Sequence, residues 1–148
     1  MAVSLDAMLL GPETRPQVIA DCFTLIEQEV AAMSGISGTA VKVAYKTVNA
    51  FMPGHVRFMV EILVPKMVTK LEPYWTEFSA SGGSQFGDYL AKRGDEVAEA
   101  LLTVTDALAA ESERPVIIKA YGSVRNTAAR HVRDALPSVG DLVMKYAR

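Results

Sequence analysis

The chain has 148 residues, of which 50% are hydrophobic and 22% are charged, and its formal net charge is -2. This size and composition indicate one globular domain with a substantial core, and they exclude a disordered chain. Because 15 basic side chains nearly balance 17 acidic ones, we expect no polyanion partner for the molecule as a whole.

Segments that would direct the chain into or across a membrane are not predicted. The first sixteen residues lack a basic start and carry Asp6 within their apolar part, so we expect no signal peptide. The most apolar run, residues 58–68, is interrupted by a glutamate, a proline and a lysine, which disfavours a transmembrane segment. The single cysteine, Cys22, cannot form an internal disulfide, and this fits a reducing compartment. We therefore expect a cytoplasmic protein.

The first half of the chain predicts a short helix near residues 4–10 and then three longer helical segments. Pro53 and Gly54 predict a break between the second and third of these, and Pro65 predicts a kink or a split within the third. Their apolar residues recur every three or four positions, as on one face of a helix. The three stripes are Ile19, Phe23, Ile26, Val30 and Met33; Val41, Tyr45, Val48 and Met52; and Val56, Met59, Leu63, Met67 and Leu71.

The second half begins after a polar, glycine-rich stretch at residues 79–87, which we interpret as a linker. Helical spacing then resumes in three stripes. These are Val97, Leu101, Val104 and Leu108; Ile117, Tyr121, Val124 and Ala128; and Leu136, Val139, Leu142 and Val143. No sustained alternation of apolar and polar residues occurs anywhere, so no strand is predicted.

A sequence repeat relates the two halves. Residues 44–57, AYKTVNAFMPGHVR, and residues 120–133, AYGSVRNTAARHVR, share six identities in fourteen positions at a separation of 76 residues. The stripes upstream align at a separation of 79 residues, and the difference falls in a loop that is longer in the first half. We therefore predict an internal duplication, with repeats at about 4–78 and 84–148 joined by the linker 79–87.

The predicted fold is a single all-α domain over residues 1–148, a compact multi-helix bundle built from two tandem pseudo-symmetric helical repeats. Each repeat alone would leave an apolar face in water. We therefore expect the two repeats to pack on each other about a pseudo-twofold axis.

The two histidines are metal-site candidates because both belong to the repeat. A pseudo-twofold axis would bring His55 and His131 together, and imidazole with carboxylate ligands suits zinc, iron or manganese. Neither half, however, has the His-x3-His or Glu-x2-His spacing that places two ligands on one helix face. The spacing favours capping or surface positions for both histidines, and we expect no cofactor.

Charge is spread unevenly over the second half. Residues 85–113 hold two basic and seven acidic side chains, whereas residues 114–148 hold seven basic and two acidic ones. An acidic helix beside a basic one would explain this, with Arg125, Arg130 and Arg133 on a solvated face. The alternative is a basic patch for nucleic acid or anionic lipid, which no aromatic platform or DNA-binding signature accompanies.

A ligand pocket is a further hypothesis. Met52, Met59 and Met67 are flexible apolar side chains that could line an adaptable cavity, and Tyr45 and Tyr121 could add symmetric polar contacts. Such residues are more often part of the core, and their spacing does not decide between the two interpretations.

The first functional hypothesis is a non-enzymatic helical module that acts through protein–protein interaction or self-association, with a homodimer as the simplest assembly. The alternative is a carrier or sensor that binds an apolar small molecule or a lipid between its helices. A histidine-based metal enzyme and a nucleic-acid-binding protein rank below both, because no catalytic or DNA-binding motif accompanies the candidate residues.

Overall fold

A computed structural model describes residues 4–147. Within that range the chain forms seven α-helices and no strand, which confirms the predicted all-α fold. No helix in this range combines the length and the hydropathy that a membrane span requires. In chain order the helices are α1 (Leu5–Leu9), α2 (Arg15–Ala32), α3 (Gly35–Phe51), α4 (His55–Ser81), α5 (Phe86–Lys92), α6 (Gly94–Glu111) and α7 (Pro115–Tyr146).

A proline and two glycines set the limits of α4. Gly54, directly after Pro53, has a φ of 79°, and it separates α3 from α4. Gly82 has a φ of 74° and ends α4. Both angles lie in the left-handed region, which glycine adopts without a steric penalty. Since α7 contains no such Pro-Gly pair, it runs unbroken over 32 residues.

Prolines inside the helices do not end them. Pro65 was expected to kink or split the third long segment, but α4 is not split and continues from His55 to Ser81 through both Pro65 and Pro73. Val64 and Val68 on either side of Pro65 are buried, so tertiary packing holds this part of the helix. Within the predicted linker 79–87, α4 extends to Ser81 and α5 begins at Phe86.

The short helix α1 is fixed to α4 by hydrogen bonds at its N-terminus. Ser4 Oγ accepts a hydrogen bond from the Ala7 N–H at 3.1 Å, which caps the helix. The Glu72 carboxylate of α4 accepts hydrogen bonds from the Leu5 N–H at 3.0 Å and the Asp6 N–H at 3.4 Å. These bonds satisfy N–H groups that a helix of five residues cannot pair internally.

An aromatic cluster joins the end of α4 to α5. The Trp75 and Phe86 rings pack edge to face with centroids 5.1 Å apart, and Phe78 lies at the same centroid distance from Phe86. Phe86 is fully buried. Because α4 belongs to the first half of the chain and α5 to the second, this cluster contributes to packing of one half on the other.

The helices α5 and α7 meet at two glycines. A Cβ atom added to Gly140 would lie 2.1 Å from both Cα and N of Gly87, so the two backbones are in direct contact. No side chain larger than hydrogen fits at this crossing. The contact positions Phe86 and Leu90 of α5 in the core, where both are fully buried.

Candidate interaction surface

One side of α3 exposes large apolar side chains to solvent. Ile36 is 94% exposed, Phe51 is 72% exposed and Val43 is 58% exposed. Ala40 and Thr47 occupy the intervening positions at spacings of three and four residues, so all five lie along one side of the helix. We name this set, Ile36, Ala40, Val43, Thr47 and Phe51, the α3 face. Ala40 and Thr47 are half-buried, so the exposed apolar residues of this face are Ile36, Val43 and Phe51. Large apolar side chains exposed on one side of a helix are typical of an interaction site.

A groove of about 500 Å³ runs between the α3 face and the first half of α7. Val116, Lys119 and Ser123 of α7 line its far side. Ala44 and Ala120 line this groove and also the groove on the opposite side of the helix pair, so the two helices cross at these alanines. Short side chains at a crossing leave a shallow apolar channel between two helices, and the ridge of a further helix can pack into such a channel.

The surroundings of this groove are basic. Residues 30–60 and residues 114–133 contain no aspartate or glutamate. Lys42 and Lys46 lie on α3, and Lys119 lines the groove itself. Among the described residues none of these three lysines forms an ion pair, so their charges remain available to a partner.

The arginines of the predicted basic patch are largely engaged within the protein. Arg125 forms an ion pair with Asp106 at 2.8 Å and a longer one with Glu99 at 3.4 Å. Arg133 pairs with Asp95 at 2.6 Å, and Arg130 donates a hydrogen bond to Ser37. The acidic helix α6 therefore lies beside the basic helix α7, and Arg125 and Arg133 of α7 form ion pairs with it.

Tyr121 takes part in the same network. Its hydroxyl donates a hydrogen bond to Asp106 and lies 2.7 Å from Thr105 Oγ1. Hydrogen bonds from Arg125 and Tyr121 stabilise the carboxylate and lower the pKa of Asp106. Burial and the bond to Asp106 raise the pKa of Tyr121, so the phenol stays protonated at neutral pH. The network joins α6 to α7 and so stabilises the packing of these two helices.

The lowered pKa of Asp106 predicts a specific pH dependence of stability. A carboxyl group whose pKa is lower in the folded state contributes stability above its unfolded pKa of about 3.9, and this contribution is lost as the pH falls toward the folded pKa. The difference in free energy of unfolding between wild type and Asp106→Asn should therefore be constant near neutral pH and decrease as the pH falls below about 4. Urea unfolding at several pH values checks this, with Asp88→Asn on α5 as the control outside the network. A difference that persists unchanged into acid would contradict it.

The two histidines lie in different clefts. His55 begins α4 and lines a cleft with Leu108 and Arg114, whereas His131 lines a cleft with Glu29 and Asp134. Burial, together with the nearby Arg114 charge, lowers the pKa of His55. Within residues 4–147 no group of three or more histidine, cysteine, aspartate or glutamate side chains is arranged to hold a metal ion. The fold thus does not bring the two predicted ligands into one site.

The residues of the predicted ligand pocket are also dispersed. Tyr45 and Tyr121 line the open groove on the inner side of the α3–α7 crossing, and Met59 lines the cleft of His55. Met52 forms the C-cap of α3. Met67 alone of the five lines the apolar cavity at the centre of the bundle. These five residues do not form one pocket.

That central cavity has a volume of about 180 Å³. Helices α2 and α4 form most of its wall, and residues of α1, α6 and α7 complete it. Every lining side chain is apolar except the thiol of Cys22. Burial raises the pKa of Cys22 to about 11, so this group is a neutral thiol at physiological pH and a poor nucleophile.

Together these features define a compact all-helical protein whose most distinctive surface is an apolar helix face with basic flanks. The chain belongs to DUF6918, a family of unknown function, whose sequence profile matches residues 5–147. No curated protein and no solved structure was found to match the chain.

The α3 face was missed at the level of sequence, although a signal for it exists. The stripe that the spacing selects on α3 contains Tyr45 and Val48, and Val48 is indeed buried. Ile36, Val43 and Phe51 form a second apolar stripe on the same helix. A helix with two apolar stripes has more apolar surface than one core contact covers, and this excess could have identified the face.

Proposed function

We propose that the protein is a non-enzymatic helical module that binds an amphipathic helix of a partner protein on the α3 face. The observation that carries the proposal is the exposure of Ile36, Val43 and Phe51 along one side of a single helix. Monomeric proteins seldom leave such a stripe in water unless it serves an interaction. The single cysteine, which fits a reducing compartment, supports a cytoplasmic site of action.

The shape of the groove favours a helix as the occupant. The crossing at Ala44 and Ala120 leaves a channel with short side chains, which an apolar ridge of spacing three and four can enter. Larger apolar side chains at Ile36 and Phe51 stand toward the two ends of α3 and would contact the ends of the bound helix. A flat lipid surface would leave the channel unfilled.

The charge around the groove favours an acidic partner. No acidic residue lies on the segments that carry Lys42, Lys46 and Lys119. Glutamates beside the apolar stripe of a bound helix would therefore form ion pairs with these lysines. A second copy of this chain is a poorer match, because a twofold contact through the α3 face would place two basic surfaces against each other. Self-association is therefore the competing outcome of the experiment below.

We also propose that the two halves of the chain arose by an internal duplication. Residues of α3 and α7 that are 76 positions apart occur as pairs in the grooves of the crossing: Ala44 and Ala120 line both grooves, and Tyr45 and Tyr121 line one of them. The clefts of His55 and His131 are likewise lined by related positions, for example Phe58 and Asp134. Such pairing is what a pseudo-twofold axis through the crossing would produce.

The aligned positions of the second half suggest substitutions that should affect binding and not folding. The second half has Lys119 at the position that aligns with Val43 and Thr127 at the position that aligns with Phe51. With the two halves related in this way, the fold would accept polar residues at these places, and the apolar residues of the first half would serve a different purpose. Substitutions borrowed from the second half should remove binding without loss of the fold.

The double variant Val43→Lys, Phe51→Thr tests the proposal. We expect a synthetic amphipathic peptide of about 18 residues, with leucine and alanine on one face and glutamate on the other, to bind wild type. In the double variant the Kd should be at least about tenfold higher, because two exposed anchors of the face are lost. Fluorescence anisotropy of the labelled peptide measures both, and circular dichroism checks that the variant is folded.

Controls separate the alternatives. Phe58→Thr removes an exposed aromatic residue that lines a different cleft, and it should leave the Kd unchanged. The same peptide with lysine in place of glutamate should bind much more weakly. Sedimentation of wild type without peptide gives the oligomeric state: a dimer that the double variant abolishes would assign the face to self-association and overturn the acidic-helix proposal. Equal binding of both peptides would overturn it as well.

A further inference from the structure

The central cavity stands apart from the α3 face and from the charge network. Four residues of α2 and six of α4 line it, among them Val18, Cys22, Val60, Val64 and Val68. Several of its lining residues, such as Val18 and Val64, belong to the buried core cluster, whereas Cys22, Leu63 and Leu142 are only partly buried, so the cavity opens toward solvent. It is not completely enclosed, so an entry path for a small molecule exists.

Short side chains contribute to the volume of the cavity. The face of α4 that points toward α2 carries valine at every fourth position, at Val60, Val64 and Val68, and α2 presents Val18 and Cys22. Aromatic rings fill the other end of the same core, around Phe86. Valine and cysteine leave space that leucine or phenylalanine would occupy.

We propose that this cavity is a binding site for a small, uncharged and apolar molecule about the size of a single aromatic ring. A cavity of roughly 150 Å³ lined by aliphatic side chains is large enough to bind benzene, and the cavity here is about 180 Å³. Water is a poor occupant, because a buried water molecule needs two to four polar partners. The Cys22 thiol is the only polar group in the wall, and it is a weak donor.

The chemistry of the wall sets the class of ligand. A charged group would have no counter-ion inside the cavity, and a hydroxyl group would have at most the thiol as a partner. Among ligands of the same shape, the less polar one should therefore bind more tightly. Toluene and phenol form a suitable pair of ligands, since the two rings differ by a methyl group in place of a hydroxyl group.

The chain itself indicates how to fill the cavity. Leu101 of α6 aligns with Cys22 of α2 at the separation of 79 residues that relates the two halves, so the second half has a larger side chain at the related position. Cys22→Leu adds two carbon-sized groups to the cavity wall. Val64→Leu adds one such group from the facing helix α4 and serves as a second filling variant, should Cys22→Leu not fold.

Titration with toluene, followed by the methyl chemical shifts of the labelled protein, tests the inference. We expect saturable shifts at methyl groups of Val18, Val64 and Val68 in wild type, and binding of phenol about tenfold weaker or worse. Cys22→Leu or Val64→Leu should raise the Kd for toluene at least about tenfold, because the free volume is then occupied. Val43→Leu, an equal enlargement on the α3 face, should change nothing.

Two outcomes would overturn the inference. One is the absence of saturable shifts in wild type. The other is unchanged toluene binding in a folded filling variant, which would place the ligand elsewhere. Because the double variant Val43→Lys, Phe51→Thr keeps the cavity intact, it should bind toluene like wild type even if the α3 face proves to have no partner.

Discussion

Gly140→Ala should lower the free energy of unfolding by about 2–3 kcal/mol, with a fall of about 5–10 °C in Tm. The added Cβ would lie 2.1 Å from the backbone of Gly87, and a backbone cannot rotate away as a flexible side chain can. Relief requires α5 to move off α7. That movement would expose Phe86 and Leu90, both of which are fully buried.

Gly122→Ala is the matched control because Gly122 lies in the same helix with no atom near its added Cβ. An alanine in a helix interior is more favourable than glycine by roughly 0.5–1 kcal/mol, so this variant should be slightly more stable than wild type. Urea unfolding followed by circular dichroism measures both changes. Equal effects of the two substitutions would show that helix propensity, and not the close contact with Gly87, determines the result.

The sequence predicts the helices well because their limits depend on local chemistry. The spacing of the apolar residues identifies each long helix, and Pro53 with Gly54 marks the break between α3 and α4. The effect of Pro65 on its helix does not depend on local sequence alone. Whether a helix survives a proline depends on the packing of the residues around it, here the buried Val64 and Val68, and spacing alone does not contain that information.

The candidate site was harder to predict for a related reason. Spacing shows that α3 has an apolar stripe, but it does not show which helix covers that stripe. In the structure Val48 is buried, whereas Ile36 and Val43 on the neighbouring stripe remain exposed. The methionines of the predicted pocket illustrate the same point, since Met52, Met59 and Met67 share a sequence pattern but lie in different places in the structure.

Contacts between distant parts of the chain are the least visible in the sequence. Nothing near Gly87 or Gly140 distinguishes them from glycines that only end or loosen a helix, yet the fold brings their backbones together. The uneven charge predicts an acidic helix beside a basic one, with Arg125 and Arg133 on a solvated face, and in the structure both arginines form ion pairs with α6. A charge pattern extends along a whole helix, so it predicts which helices are neighbours even when the exact alignment of their residues is unknown. A single close contact cannot be predicted without that alignment.

Phe86→Ala should destabilise the protein more than any of the surface substitutions, by about 3–5 kcal/mol. The Phe86 ring is fully buried and contacts Trp75 and Phe78 of α4 at centroid distances of 5.1 Å. Its removal takes away apolar burial and leaves a cavity between α4 and α5 that the adjoining glycine contact prevents from collapsing. Because α5 is only seven residues long, it has little stability of its own to compensate.

Phe51→Ala is the control with the same chemical change at the surface. Phe51 is 72% exposed, so its truncation should change the free energy of unfolding by less than about 0.5 kcal/mol. The two variants should therefore have different effects. Phe86→Ala should lower stability, whereas Phe51→Ala should weaken binding of the acidic peptide. Urea unfolding and peptide anisotropy on both variants measure this division. A large loss of stability in Phe51→Ala would mean that the α3 face is part of the folding core and would remove the main support for a partner there.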